Sequence, residues 1–323
     1  MKRLIPISLL LCCTLTYAQV RPAHERPDIP QPDRTLLYAQ RDTCDLLLDF
    51  YTAAPDAGPC ADTLRKPVII HVFGGGFFTG IRNHPDDRIW YRQMADAGYH
   101  VAAIDYRLGL KGRTLRFNLS GLTILREVIQ VAVDDLFAAT NYLIDHSAEL
   151  GIDPDRIIVS GSSAGAITAL QAEWEIVNNK PEARALPAWF NYGGIMAFSG
   201  AVFSMEGNVR FPQKPCPILL LHGTADRIVP YKSIGLPGIQ FAGSDALAKK
   251  LEKAGCNLQI YRFRDLGHEV SITMPHLFRE ELRFLEDNVI KGIYRPLDAT
   301  LSDEGLPDFG WSKYSAADLY RLK

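Results

Sequence analysis

Ser163 lies in Gly161-Ser162-Ser163-Ala164-Gly165, between the apolar run Ile157-Ile158-Val159 and a helix-compatible stretch holding Ala166, Ile167, Ala169 and Leu170. A serine on a sharp strand-to-helix turn lifts its hydroxyl above the sheet edge. Such a turn leaves no room for side chains just before and after it, which glycines at 161 and 165 provide. The helix that follows aims free N–H groups at charge forming beside the hydroxyl. The chemistry that fits is nucleophilic attack on a carbonyl, assisted by a base. The same five residues also fit a glycine-softened loop, so the pattern gains meaning only from its context.

Two loops supply that context. Pro217-Ile218-Leu219-Leu220-Leu221-His222 reads as a buried strand and runs into Gly223-Thr224-Ala225-Asp226. Leu258-Gln259-Ile260-Tyr261-Arg262-Phe263 reads as another and runs into Asp265-Leu266-Gly267-His268. If the strands are parallel, Ser163, Asp226 and His268 share one sheet edge, in the chain order Ser, Asp, His. Histidine changes charge near neutrality and can take and return a proton, and an aspartate can orient it. Asp265 is a rival orienter, but three residues from His268 it is too close along the same turn. Of eight histidines in the sequence, His71 and His222 flank strand ends and read as packed or hydrogen-bonded neighbours.

Upstream, Pro67-Val68-Ile69-Ile70-His71-Val72-Phe73 is a buried strand, followed by Gly74-Gly75-Gly76-Phe77-Phe78-Thr79-Gly80. Glycines after a buried strand let the backbone approach a ligand and point N–H groups into one space. An oxyanion hole needs that arrangement. Neither G-x-x-x-x-G-K-[ST] nor G-x-G-x-x-G is present, so a nucleotide is disfavoured.

The chain resembles the α/β-hydrolase superfamily, in particular carboxylesterase-like members with a glycine-rich oxyanion loop. The matching segments are Phe73-Gly74-Gly75-Gly76-Phe77, Asp105-Tyr106-Arg107-Leu108-Gly109, Asp153-Pro154-Asp155-Arg156-Ile157, Gly161-Ser162-Ser163-Ala164-Gly165, His222-Gly223-Thr224-Ala225-Asp226 and Gly267-His268. The resemblance implies Ser163 as nucleophile, His268 as general base and Asp226 as its orienter. It implies an oxyanion hole built by the N–H groups of Gly75, Gly76 and Ala164. It also implies a mostly parallel eight-stranded sheet with helices on both faces and little or no lid. Two departures stand out. Phe73 occupies the place where relatives carry histidine, so the glycine loop must be braced differently. Ser162 replaces a frequent acid before the nucleophile, which changes the hydrogen bonding around it but not the chemistry.

The elements that must position these groups alternate. Strands fall at Leu36-Leu37-Tyr38, Leu46-Leu47-Leu48-Asp49-Phe50, Pro67 onward, His100-Val101-Ala102-Ala103-Ile104, Ile157-Ile158-Val159, Ile195-Met196-Ala197-Phe198, Pro217 onward and Leu258 onward. Helices are expected near 86–97, 123–146, 244–254 and 275–289. Such β–α alternation predicts a parallel sheet covered on both faces, with ligands beyond the carboxyl ends of its strands. Between Phe198 and Pro217 there is no room for a helical lid. The stretch 171–192, with Trp174, Trp189 and Phe190, is the remaining candidate cover, and its aromatics fit core packing better than a substrate slot. Phe77, Phe78 and Phe203 are candidates for a small acyl pocket, although each also fits the core. The tail 291–323 reads as irregular and able to pack back on the domain.

The N-terminus has the form of a secretory signal: Lys2-Arg3, an apolar stretch over 4–15, then Thr16-Tyr17-Ala18 before Gln19. That predicts a soluble periplasmic or secreted product, with residues 19–323 as one domain beginning in a proline-rich arm. A net charge of −2 argues against nucleic acid or an anionic membrane as partner. Four cysteines follow the signal: Cys44, Cys60, Cys216 and Cys256. Cys216 and Cys256 each precede a strand, and if those strands are parallel neighbours they are the favoured disulfide. No pattern calls for a metal or organic cofactor.

The favoured activity is hydrolysis of short-chain carboxylic esters, free or linked to carbohydrate. Two alternatives are a serine peptidase or amidase of the prolyl-oligopeptidase type and a non-catalytic binding protein on a hydrolase scaffold. Oligomeric state is not legible.

Overall fold

The computed structural model describes residues 29–116, 118–302 and 305–321. The expected signal at 1–18 and the first part of the arm lie outside these residues. Strands β1 (Arg34–Arg41) and β2 (Cys44–Tyr51) form an antiparallel hairpin that pairs antiparallel with β4 (His100–Ile104). From there the sheet continues in parallel through β3 (Lys66–Val72), β5 (Ile152–Ser162), β6 (Gly194–Phe198), β8 (Ile218–Gly223), β11 (Leu258–Phe263) and β12 (Leu297–Leu301).

Among the described residues the sheet thus has nine strands, one more than expected, in the order β1-β2-β4-β3-β5-β6-β8-β11-β12. The additional strand is β12, in the tail read as irregular. It is an edge strand with three exposed and two half-buried residues, so it lacks the apolar run that marks the buried strands. A second sheet, also not foreseen, joins β7 (Ala201–Ser204), β10 (Ile239–Gly243) and β9 (Ser233–Leu236) in antiparallel order.

The strand period of two explains how one sheet serves two cores. On β3, Val68, Ile70 and Val72 face one core and Ile69 the other; on β4, Ala102 and Ile104 oppose Val101 and Ala103. The first core is closed by α2 (Leu119–Asp145), α4 (Ala164–Val177) and α5 (Ser244–Lys253). The second is closed by α1 (Pro85–Asp96) and α6 (Phe278–Phe284), with Trp90, Tyr91 and Phe284 fully covered. Each fully buried Ile, Leu or Val contributes about 1.5–3 kcal/mol relative to exposure. The short α3 (Ser147–Leu150) precedes β5, and α7 (Ala316–Arg321) ends the described chain.

Helix bounds follow local chemistry. The long helix starts at Leu119, not Thr123, because the Asn118 side chain accepts from the Gly121 N–H at 3.0 Å and caps it. The helix expected over 275–289 is divided: α6 passes directly into a π-helical turn, Leu285–Ile290.

The disulfide expectation is overturned. β8 and β11 are parallel neighbours, yet Cys216 and Cys256 are free, buried thiols. The Cys256 thiol donates to the Cys216 backbone carbonyl at 3.2 Å. Burial pushes that thiol up to about 12.

Candidate active site

The chain leaves β5 at Ser162 and enters α4 at Ala164, so Ser163 carries the whole change of direction. Its backbone is left-handed, at φ 52° and ψ −113°. That conformation is uncommon for a residue with a Cβ and marks stored strain. The flanking glycines are required by space and not by dihedral. A Cβ on Gly161 would sit 2.3 Å from the Gly165 carbonyl oxygen, and one on Gly165 would sit 1.9 Å from the Val72 oxygen.

Beyond the parallel strands, two loops converge on this turn. The His268 Nε2 lies 2.7 Å from Ser163 Oγ, and its Nδ1 lies 2.7 Å from Asp226 Oδ2. An ionised carboxylate can only accept, so Nδ1 carries the proton and Nε2 is left to accept from the serine hydroxyl. The other Asp226 oxygen accepts the N–H groups of Ile228 and Val229 at 2.9 and 3.1 Å. Burial pushes the Asp226 carboxyl up. The charge of His268 and the hydrogen bonds from His222 and His268 outweigh it, leaving the group well below the usual carboxylate range. Asp265, the rival orienter, is exposed; its N–H is donated to Thr224 Oγ1 at 2.9 Å, and it holds a left-handed turn at φ 63°.

Two supports were not foreseen in these roles. His222 is fully buried, with Nε2 3.2 Å from both Asp226 Oδ2 and the Val229 carbonyl oxygen. Both are acceptors, so Nε2 carries the hydrogen, while Nδ1 faces Ser244 Oγ at 2.8 Å. Ser162 donates its hydroxyl to the Ser271 carbonyl at 2.7 Å and thereby ties the nucleophile turn to the histidine loop. A serine in place of an acid was visible in the sequence; its partner, more than a hundred residues away, was not. His71 is sealed between strand and helix beside Trp90 and Tyr91. Burial lowers its pKa to about 3, which keeps it neutral.

The glycine loop is held by Phe78 and Thr79, whose N–H groups donate to the Gly75 carbonyl at 3.1 Å each. With Phe73 in place of histidine, the bracing passes to Tyr106. Its hydroxyl donates to the Phe73 carbonyl at 3.1 Å and its ring lies 4.5 Å from that of Phe73. Gly75 and Gly76 have φ of 121° and 61°. Gly74 packs so closely on the serine turn that a Cβ there would meet Ser163 Cβ at 3.2 Å. Among the described residues, the N–H groups of Gly75, Gly76 and Ala164 donate to no protein acceptor.

Ser163 stands between two chambers, of about 430 Å³ and 870 Å³, which share Gly76, Ser163, Ile228 and Leu319. The three candidate phenylalanines do not line one pocket. Phe78 faces the smaller chamber with His268 and Trp311, whereas Phe77 and Phe203 face the larger with Ala164, Ile167 and Phe241. None of the residues 171–192 lines either chamber. Residues 171–177 belong to α4, and Trp174 Nε1 donates to the Arg210 carbonyl at 3.0 Å.

The walls come instead from the β9–β10 hairpin and from the tail. Trp311 stacks on His268 with ring centroids 6.4 Å apart, Ala316 N–H donates to the Arg227 carbonyl at 3.1 Å, and Tyr320 Oη donates to the Gly76 carbonyl at 3.3 Å. The sequence signal for this wall was the reading of the tail 291–323 as able to pack back on the domain, with nothing to say where. Among the described residues, no group of three or more His, Cys, Asp or Glu could hold a metal ion. No helix there is long and apolar enough to cross a membrane.

Comparison with known proteins is consistent with this arrangement. The BD-FAE family model matches residues 49–184, from β2 to beyond the nucleophile turn. Esterase LipI of Mycobacterium tuberculosis is 31% identical over 111 residues, covering 34% of this chain and 29% of that protein. Ethyl acetate hydrolase of Pseudomonas putida is 30% identical over 106 residues, covering 33% and 28%. The matches thus span about a third of this chain and less than a third of these relatives. A thermophilic esterase of Thermogutta terrifontis, solved with propionate bound, superposes with a TM-score of 0.56 at 22% identity, covering 80% of this chain and 97% of that one. The fold is that of the superposed α/β-hydrolase esterase, and over about a third of its length the chain is similar in sequence to esterases.

Proposed function

We propose that this carboxylesterase-like α/β-hydrolase cleaves short-chain carboxylic esters through an acyl-enzyme. The observation that carries the proposal is the unbroken chain from Ser163 Oγ through the His268 ring to Asp226, each link 2.7 Å. In this reading His268 takes the Ser163 proton as Oγ attacks the ester carbonyl carbon. The carbonyl oxygen becomes an oxyanion and turns toward the N–H groups of Gly75, Gly76 and Ala164, which have no other acceptor among the described residues. Collapse breaks the bond to the leaving oxygen, to which His268 delivers the proton. Water, deprotonated by His268, then attacks the acyl-enzyme and releases the acid, so one ester and one water yield one acid and one alcohol.

The two chambers divide the substrate. The leaving oxygen must reach His268 Nε2, and the smaller chamber is the one that His268 lines, so the alcohol belongs there. The acyl group then faces Phe77 and Phe203 in the larger chamber. Support for a short acyl chain comes from the related fold of the Thermogutta esterase, solved with propionate and with butyrate. The N-terminal pattern supports export; peptide sequencing of the mature protein should then start at Gln19.

The test is turnover of acetyl to butyryl esters by the wild type and by Ser163→Ala. The variant should retain its thermal unfolding transition and lose about 10⁴- to 10⁶-fold in kcat. Retention of more than a few per cent of the activity would remove Ser163 from the role of nucleophile.

A further inference from the structure

Among the groups of the smaller chamber that the hydrolytic steps leave unused, which include His84 and Tyr314, one is a carboxylate. The chamber's walls are mainly apolar, with Phe73, Phe78, Ile81, Ile272, Trp311 and Leu319 among them, and Asp87 stands in the same lining. Asp87 belongs to the first turn of α1. A helix accommodates an acid there without any ligand, so its position carries nothing by itself. Its surroundings do. No lysine or arginine lines the chamber, and among the described residues no cation lies within ion-pair distance of its carboxylate. The charges acting on it are those of His84 and Asp86, and burial pushes its carboxyl up to about 6. A partly desolvated acceptor without a protein partner gains most from a donor that the ligand brings. The nearby aromatic faces of Phe78 and Trp311 favour a carbon framework or a cation and do not favour an anion.

We infer that Asp87 selects the alcohol portion of the substrate: the smaller chamber takes a leaving group that presents a hydroxyl or an ammonium to this carboxylate, with its carbon skeleton against Phe78 and Trp311. The inference rests on the proposed ester chemistry and on the smaller chamber being its alcohol side. It makes Asp87 a specificity-determining residue that takes no part in bond breaking. A leaving group bearing a carboxylate or phosphate is excluded by the same charge.

The test compares three acetates of similar bulk: pentyl acetate, its terminal hydroxyl analogue hydroxybutyl acetate, and acetylcholine. The ratios of kcat/KM within one enzyme preparation are the readout, so the amount of folded protein cancels. In the wild type at least one of the two functionalised esters should exceed pentyl acetate by about ten- to a hundredfold. Preference for hydroxybutyl acetate identifies a hydroxyl-bearing alcohol, and preference for acetylcholine identifies a cationic one. Asp87→Leu removes both charge and acceptor and should abolish either preference. Asp87→Asn keeps an acceptor oxygen; it should abolish a preference for the cation and preserve part of a preference for the hydroxyl. If Asp87→Leu does not fold, the Asp87→Asn ratios decide for the cation. For the hydroxyl, Asp87→Ala, which also lacks the acceptor, decides. Equal turnover of the three esters by the wild type, or ratios unchanged by the substitutions, overturns the inference while leaving the ester chemistry intact. Absence of turnover on all three, with no acyl-enzyme at Ser163, overturns the proposed function itself.

Discussion

Asp226 is where the two aspartate candidates part. It accepts from His268, from His222 and from two backbone N–H groups, whereas Asp265 is exposed and bonds through its backbone N–H to Thr224 Oγ1. Asp226→Asn should therefore lower kcat by about 10⁴-fold, because the amide no longer fixes the working tautomer of the ring; Asp265→Asn should change it by less than about threefold. The reverse ranking in steady-state kinetics would transfer the role. The same carboxylate makes a stability prediction with a definite sign. Its pKa in the folded state lies below the ordinary value of about 3.9. Its contribution is thus complete above about pH 4 and is lost as the pH falls further toward the folded-state value. Urea unfolding between neutral pH and the acid limit should show the wild type losing more stability below about pH 4 than Asp226→Asn, which has no proton to take up. Parallel losses in the two proteins would mean that Asp226 is not held as an ionised acceptor. Ser163, Asp226 and His268 were legible because a tight turn, a strand end and a glycine-preceded histidine each leave a local mark. His222 was legible only as a neighbour, since nothing local shows that two imidazoles share one carboxylate oxygen.

At the scale of elements, the close approach of α4 to β3 and β5 sets the site. Gly165→Ala would drive a methyl carbon to 1.9 Å from the Val72 carbonyl oxygen, against backbone that cannot yield without moving β3. The expected cost is at least about 1–3 kcal/mol in urea unfolding, the usual range for overpacking, accompanied by a loss of activity. A neutral effect on both would mean that the helix does not sit on the strand as described. Asn118→Ala should cost about 1 kcal/mol through loss of the α2 cap, with kcat unchanged. Buried strands such as β3 and β8 were readable because all their residues are covered and their sequences are continuous apolar runs. β9 is wholly exposed and β12 has no buried residue. β9 pairs with the adjacent β10 and β12 with the distant β11, but neither has a buried face, so periodicity carried no sign of them.

For the whole molecule, the tail is the main addition to the sequence reading. Residues 311–320 touch the histidine loop, the acid loop and the glycine loop, and with the β9–β10 hairpin they wall the cleft in place of a helical lid. A wall tied by backbone hydrogen bonds gives a lipid surface no large cover to displace. Turnover should therefore rise smoothly through the solubility limit of the ester and favour acetyl to butyryl over dodecanoyl chains; a jump at emulsion formation would show that the wall moves as a lid. The central claim, that Ser163 is the nucleophile of an acyl-transfer site made by the complete fold, meets its most direct test in organophosphate labelling. The Thermogutta esterase with the same fold has been solved phosphorylated by paraoxon. Incubation of this protein with paraoxon should displace nitrophenolate and add one diethylphosphoryl group per chain. Peptide mass spectrometry should locate the group on Ser163, and ester turnover should fall in proportion to labelling. An unlabelled Ser163 in an enzyme that loses activity, or full labelling with activity retained, would contradict the account.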